Sequence, residues 1–352
     1  MTTQQGLTKQ IVCRELVYPP NEQSVVVEYQ SVNELPALKP NWMRVRVVYA
    51  ALNYADCLQV AGRYQEKLDP PFIPGREVAG VVEQVNSKDE KIKVGDQIIM
   101  LAEKDGWKSF VDVPIGYPAL IKVPKSVDLK KAASLLVAYS TSHVALTHSR
   151  HGDLKKGQTV LVLGASGGVG LAACQIAHEM GCTVIAGASS EEKCKVCKEE
   201  GMADFTFNYS ENKKDWFKKV LEFTKGKGCD VVYDPVGGDF TLQSIKCTKW
   251  GGVLLIIGFA TSKIASIPAN LLLVKNIRAS GCYWGSYMKY EPHVLQQSMK
   301  DLFEMLLKGK INPLIGEVYP AEKIVQAMND MLSRKTVGRV LISFGDERPS
   351  KL

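Results

Sequence analysis

The chain has 352 residues, of which 45% are hydrophobic and 23% charged, and a net charge of +7 from 44 basic and 37 acidic side chains. That length divides into about two domains, and the composition excludes wholesale disorder. No apolar run approaches the ~18 residues of a transmembrane helix, which excludes an integral helical membrane protein. The first third reads as β-rich. Residues 25–29 and 44–50 are dense in β-branched side chains, and 80–85 and 97–101 follow as further strands. Pro36, Pro40, Pro74, Gly75 and Gly95-Asp96 bound them. Short strands between Gly/Pro turns predict a barrel or sandwich.

The texture changes near Lys130. Residues 132–147 space their apolar side chains as one helix. Strands are then expected at 159–163, 183–188, 205–208, 230–233, 252–257 and 277–282, with helices at 171–180, 191–200, 216–224 and 240–247 between them. Fully apolar strands alternating with helices predict a parallel sheet covered on both faces. The tail holds helices at 295–307 and 321–332 and a strand at 339–344, which need a partner in the first domain. The lysines occur in pairs such as Lys130-Lys131 and Lys218-Lys219, mixed with acids. That describes a solvated surface better than a nucleic-acid face, with an anionic ligand as the alternative. Nine scattered cysteines and a polar opening at residues 1–10 favour a reduced compartment. The expected location is cytoplasmic, or mitochondrial if a transit segment precedes Met1.

The strongest local signal is Val160-Leu161-Val162-Leu163-Gly164-Ala165-Ser166-Gly167-Gly168-Val169-Gly170. It follows an expected strand and opens an expected helix, a G-x-x-G-x-x-G variant of the dinucleotide fingerprint. The first glycine allows a tight turn, the second admits a pyrophosphate to the backbone, and the third lets helix and strand pack closely. Ser166, Gly167, Gly168 and Val169 then present helix N-terminal N–H groups to phosphate. An NAD site usually places an acid about 20 residues on, to hold the ribose 2′-OH. Here the strand end is Ala186-Gly187-Ala188-Ser189-Ser190, and the acids Glu191 and Glu192 come later. Ser189 with Glu192 fits a capping box. Gly187, Ser189, Lys193 and Tyr209, without a strand-end acid, indicate NADPH.

With these residues in view, the chain resembles the zinc-independent quinone oxidoreductases of the medium-chain dehydrogenase/reductase superfamily. The marks are Asn53-Tyr54-Ala55-Asp56, Gly62-Arg63-Tyr64, Pro74-Gly75-Arg76-Glu77-Val78-Ala79-Gly80, Val94-Gly95-Asp96, Tyr233-Asp234-Pro235-Val236-Gly237-Gly238 and Gly338-Arg339-Val340. Gly281-Cys282-Tyr283-Trp284-Gly285 is similar to the quinone oxidoreductase-like subgroup. The resemblance implies an α/β protein in which a GroES-like β-barrel domain is joined to a doubly wound Rossmann domain. The first part of the barrel domain would span residues 1–138 and the Rossmann domain 139–284, with 285–352 returning to the barrel. It implies an active site in the cleft between them and a homodimer joined through the edge strand at 277–282. Asn53 and Tyr64 would face the nicotinamide and donate hydrogen bonds to the substrate, and Thr141 would bind near the nicotinamide ribose. Val236, Gly258, Phe259 and Trp284 would line the cofactor, and Arg334 would reach its adenosine phosphate. The chain departs from several members at Leu58, where a tyrosine is common.

Relatives with alcohol dehydrogenase activity hold a catalytic zinc through Cys and His. This chain has Asn53 and Arg76 at those places, and no cysteine between Cys57 and Cys174 to build a structural zinc lobe. No metal is therefore expected, and the helix pair Cys194 and Cys197 reads as structural. The leading function is hydride transfer from NADPH to a quinone. Reduction of an activated C=C bond, in an enal, enone or enoyl thioester, uses the same metal-free geometry. A third reading is an NADPH-binding protein of low turnover that engages RNA or a protein partner, although no RNA-binding motif is present.

Overall fold

The computed structural model describes residues 6–88 and 91–345. It divides into two compact units, Met1–Val137 with Ile315–Leu352, and Ala138–Leu314. The chain opens on β1 (Leu7–Cys13) and β2 (Val25–Ser31), then β3 (Trp42–Leu52), helix α1 (Tyr54–Val60) and β4 (Glu77–Asn86). Strands β5 (Gln97–Leu101), β6 (Phe110–Pro114) and β7 (Leu120–Val123) and the short α2 (Leu129–Ala133) follow. The second unit runs α3 (Ala138–Thr147), β8 (Thr159–Val162), α4 (Gly168–Glu179), β9 (Thr183–Ala188), α5 (Glu191–Glu199) and β10 (Phe205–Asn208). It continues with α6 (Phe217–Phe223), β11 (Cys229–Asp234), α7 (Asp239–Cys247), β12 (Thr248–Ile256), α8 (Ala269–Lys275) and β13 (Arg278–Gly281). Helices α9 (Tyr287–Tyr290) and α10 (Pro292–Leu307) close it. The return to the first unit is β14 (Ile315–Pro320), α11 (Ile324–Leu332) and β15 (Arg339–Ser343). Among the described residues no helix is long and apolar enough to cross a membrane.

The first unit is built on a seven-stranded sheet in the order β14-β15-β3-β4-β5-β7, with β6 also on β3. Strand β3 carries Met43, Val45 and Val47 into a core shared with Val78, Val82, Ile98, Met100, Val340 and Ile342. Burying each such side chain contributes about 1.5–3 kcal/mol. The core claims β15, so the chain end joins the sheet beside β3. Antiparallel pairing of β3 with both β4 and β15 brings three termini to one end of the sheet: the finish of β3 and the starts of β4 and β15.

In the second unit the six strands run parallel in the order β10-β9-β8-β11-β12-β13. Renumbered from β8, that is the 3-2-1-4-5-6 order of a doubly wound sheet, and its switch point falls between β8 and β11. Strands β8, β9 and β11 are buried almost throughout, as a sheet covered on both faces requires.

Three expectations need correction. Residues 132–147 are not one helix: α2 ends at Ser134, and Val137 gives its N–H to the Glu77 carboxylate (2.9 Å) instead of a helical carbonyl. The second unit extends to Leu314 rather than stopping at 284. The cause is α10, which buries Leu295, Met299 and Leu302 on one face and bonds Ser298 to Ser140 and His143 of α3 (both 3.0 Å). The cap of α5 is Ser190, whose Oγ accepts the Lys193 N–H at 3.3 Å, not Ser189.

Candidate active site

The glycine loop sits where β8 gives way to α4, at the switch point. Gly164 adopts φ +56°, a left-handed turn that a β-carbon would strain. A β-carbon on Gly170 would lie 2.4 Å from the Gly164 carbonyl oxygen and 2.6 Å from Ala165 Cα, so helix and turn meet there without room for a side chain. Gly167 is different. Its φ is −83°, and a β-carbon there would meet only the Gly164 oxygen at 3.5 Å. The protein itself leaves that space open. Gly167 is the N-cap of α4 and has no side chain with which to cap it, so the first-turn N–H groups of Gly168 and Val169 remain for an anion. These features fit a dinucleotide pyrophosphate.

The neighbouring strand ends complete the cradle. Strand β9 closes on Gly187-Ala188, and Gly187 lies against the Phe207 ring, 2.7 Å from where a β-carbon would stand. Ser189 and Lys193 flank the α5 cap, and Tyr209 donates its N–H to the Ala188 carbonyl at 3.0 Å. Across the switch point, Val236 comes within 3.3 Å of the place a Gly164 β-carbon would occupy. The Asp234 carboxylate shapes its turn by accepting from Val236 N–H (2.8 Å), Gly237 N–H (3.0 Å) and Thr241 Oγ1 (2.6 Å). The loop after β12 packs on that turn, since Ala260 and Thr261 donate to the Pro235 and Val236 carbonyls (3.0 Å each). Gly258 and Phe259 therefore stand beside Val236. Helix α3 reaches the same end of the sheet. Ser142 donates to the Val169 carbonyl (2.8 Å), and Trp284 Nε1 donates to Ser140 (3.0 Å), which places Thr141 between a residue bonded to the glycine turn and one bonded to Trp284.

The first unit holds a second constellation. Arg339, the first residue of β15, donates Nη1 to Asn53 Oδ1 (3.0 Å) and Nη2 to Glu77 Oε2 (2.6 Å). Asn53 Nδ2 donates to the same Glu77 oxygen at 3.2 Å. The Asn53 backbone N–H goes to Asp56 Oδ2 (2.8 Å), which fixes the start of α1. Burial pushes the Asp56 carboxyl up to about 7; the Asn53 N–H opposes this, and the charge of Glu77 adds to it. Tyr64 is half-buried in the loop after α1, and the ion pair of Arg76 with Glu66 (3.4 Å) ties down that loop. Arg334 is exposed at φ +61° on the turn after α11.

Residues 39–110 match the family model for an alcohol dehydrogenase GroES-like domain, and 168–304 match that for a zinc-binding dehydrogenase. The chain is 37% identical over 335 residues to the quinone oxidoreductase-like protein 2 homolog of Nematostella vectensis, covering 95% of this chain and 88% of that one. It is 37% identical over 336 residues to quinone oxidoreductase-like protein 2 of Rattus norvegicus, covering 95% and 91%. The chain belongs to the quinone oxidoreductase family of medium-chain dehydrogenases/reductases. Among solved structures, the quinone oxidoreductase of Thermus thermophilus, known also as its complex with NADPH, shares 29% identity. Its TM-score is 0.79, and the match covers 95% of this chain and 99% of that one. This family member is thus an oxidoreductase-type chain with a GroES-like domain and a dinucleotide-binding Rossmann domain.

One of the matched domains carries zinc in its name. In this family member Asn53 and Arg76 are engaged with Arg339, Glu77 and Glu66. Among the described residues no group of three or more His, Cys, Asp or Glu side chains is placed to hold a metal ion. Of the residues singled out from the sequence, Ser166, Gly167, Gly168, Val169, Gly187, Ser189, Lys193, Tyr209, Val236, Gly258, Phe259, Thr141 and Trp284 all lie in the second unit, while Asn53, Tyr64 and Arg334 lie in the first. The sequence reading assigned no role to Glu77, Arg339, Asp56 or Asp234. All four stood inside the quoted family motifs, which was the available signal.

Proposed function

We propose that this chain is an NADPH-dependent reductase that passes hydride to a quinone without a metal. The observation that carries the reading is the end of β9. There the chain offers Gly187, Ala188 and Ser189, with no carboxylate to hold a ribose 2′-OH or to repel a 2′-phosphate. Ser189, Lys193 and Tyr209 would hold the 2′-phosphate, and the α4 N-terminus the pyrophosphate. Bound NADPH supplies the hydride. A quinone takes up that hydride and one proton to become a hydroquinone. Asn53 polarises the acceptor oxygen through its amide N–H, and Tyr64 donates or relays the proton. Thr141 binds near the nicotinamide ribose.

The names of the relatives support a quinone as acceptor. The nine cysteines are all buried thiols, which supports a reducing, cytoplasmic setting. Strand β13 forms an edge of the parallel sheet, which supports a homodimer joined there.

The test is one panel that follows NADPH absorbance with an ortho-quinone, a para-quinone, a 2-alkenal and an enoyl-CoA. Turnover of quinones is expected. Turnover of the alkenal or thioester alone would replace the quinone with an activated C=C bond. Tight NADPH binding with no turnover would make the chain a binding protein. Elemental analysis should find no stoichiometric zinc.

A further inference from the structure

We propose that Glu77 and Arg339 are positioning residues that lock the Asn53 carboxamide in one orientation, with one of its N–H bonds turned to the acceptor oxygen. The inference rests on the reading of Asn53 as hydrogen-bond donor to the substrate. It assigns a role to a pair that lies outside the donor set itself.

The orientation follows from which groups can donate. A guanidinium only donates and a carboxylate only accepts. Arg339 Nη1 stands 3.0 Å from one end of the Asn53 amide, and Glu77 Oε2 stands 3.2 Å from the other. The oxygen must therefore face Arg339 and the nitrogen Glu77. Turning the amide over would set donor against donor and acceptor against acceptor. One Nδ2 hydrogen is spent on Glu77. Among the described residues Nδ2 has no other partner, and Asn53 is only half-buried, so the second hydrogen is left for a ligand.

The pair is specific in its chemistry. Glu77 receives Val137 N–H on Oε1 (2.9 Å) and Arg339 and Asn53 on Oε2. A glutamine would turn its amide nitrogen on one of these donors in either orientation. Stability alone is a poor reason for the arrangement. Arg339 is 5% exposed, and its buried Nε has no hydrogen-bond partner among the described residues. A buried pair of this kind repays its desolvation only when its donors are well matched. What the pair does accomplish is to hold a neutral amide by both ends.

The experiment is a double-mutant cycle of Arg339→Lys with Asn53→Ala, reading kcat with a para-quinone, NADPH Kd and the melting temperature. A lysine keeps the positive charge but is a single point donor that cannot copy the guanidinium fork. Arg339→Lys is expected to lower kcat by about 10–100-fold, the range for a misplaced catalytic group, with NADPH Kd changed less than about twofold. In the Asn53→Ala background the same substitution should change kcat by less than about twofold, because the group it positions is gone. If Asn53→Ala lowers kcat and Arg339→Lys multiplies the loss in full, the positioning role is overturned and Asn53 keeps its own role. If Asn53→Ala leaves kcat unchanged, the donor reading of Asn53 falls, and the positioning role falls with it. A measurement on the wild-type protein covers the case in which Arg339→Lys does not fold. With 15N-asparagine labelling, the two Nδ2 protons of Asn53 should resolve, with the one bonded to carboxylate displaced downfield. A pair at random-coil positions would overturn the proposal.

Discussion

Glu77 of the first unit and Asp234 of the second are both sealed from solvent, and the two are held in different ways. Glu77 and Asp234 are 0% and 1% exposed. Glu77 lies against a guanidinium that can only donate. Asp234 accepts from two backbone N–H groups and the Thr241 hydroxyl, all neutral. Burial accordingly pushes the Asp234 carboxyl above its ordinary range, with Thr241, Gly237 and Val236 pulling it back. The first unit uses enclosed charge to orient a single amide. The second uses an enclosed acid to shape a loop, and leaves its open donors, at the α4 N-terminus, for a ligand.

The same chemical change at both carboxylates should separate the two designs most widely. Glu77→Gln leaves Arg339 buried without its counter-charge and should cost about 3–5 kcal/mol in a urea unfolding experiment. Asp234→Asn keeps its oxygen for Val236 and Gly237, and the Thr241 hydroxyl can rotate to accept from the new amide. The expected loss is about 1 kcal/mol or less. Equal losses would mean that the guanidinium adds nothing to what neutral donors supply.

The glycines of the second unit offer a smaller contrast. Gly170→Ala forces a β-carbon onto backbone atoms at 2.4 and 2.6 Å and should cost about 1–3 kcal/mol of stability. Gly167→Ala has room and should leave the melting temperature nearly unchanged, yet weaken NADPH because the added methyl occupies the open cradle. Unchanged NADPH affinity in Gly167→Ala would move the pyrophosphate away from this turn.

Comparable in size is Lys193→Ala. A hydrogen bond to a charged group is worth about 1.5–3 kcal/mol, and each 1.4 kcal/mol is a factor of about ten in affinity. NADPH affinity should fall about ten- to hundredfold while NADH affinity holds, measured by fluorescence titration. Equal losses for both cofactors would assign Lys193 to the fold alone.

The last contrast is one of pH dependence, at Asp56 beside the Glu77 hub. Its folded value of about 7 lies above the ordinary 3.8 because burial disfavours the anion. The folded protein therefore keeps a proton that the unfolded chain has released. That stabilising contribution is present below about 3.8 and is lost as pH rises through about 7. Asp56→Asn cannot ionise, and its Oδ1 can still accept the Asn53 N–H. Its stability relative to wild type should rise from about 3.8 to about 7 on the pH scale and level off above that. A difference that stays constant across that range would show that another group titrates.

The parallel sheet and its glycine turn were legible because their determinants are local. Strands β9 and β10 have the bounds expected from their apolar runs, and Gly164, Gly167 and Gly170 sit within one turn whose geometry needs no distant residue. The choice between Ser189 and Ser190 as cap of α5 was not legible. Adjacent serines offer the same side chain, and only the extended backbone at Ser190, φ −157°, decides which oxygen faces Lys193 N–H. The domain end was missed for a related reason. The amphipathic pattern of α10 says that one face is buried, not that α3 is what buries it. The Glu77 hub lies furthest from local reading. Asn53, Glu77, Val137 and Arg339 meet only because β4 and β15 both pair antiparallel with β3 and bring their starts to its end. Sequence alone determined the nucleotide turn, because close helix–strand packing there admits only glycine. Tertiary structure alone decided which buried charge would hold Asn53, because strand pairing, not spacing along the chain, sets that distance.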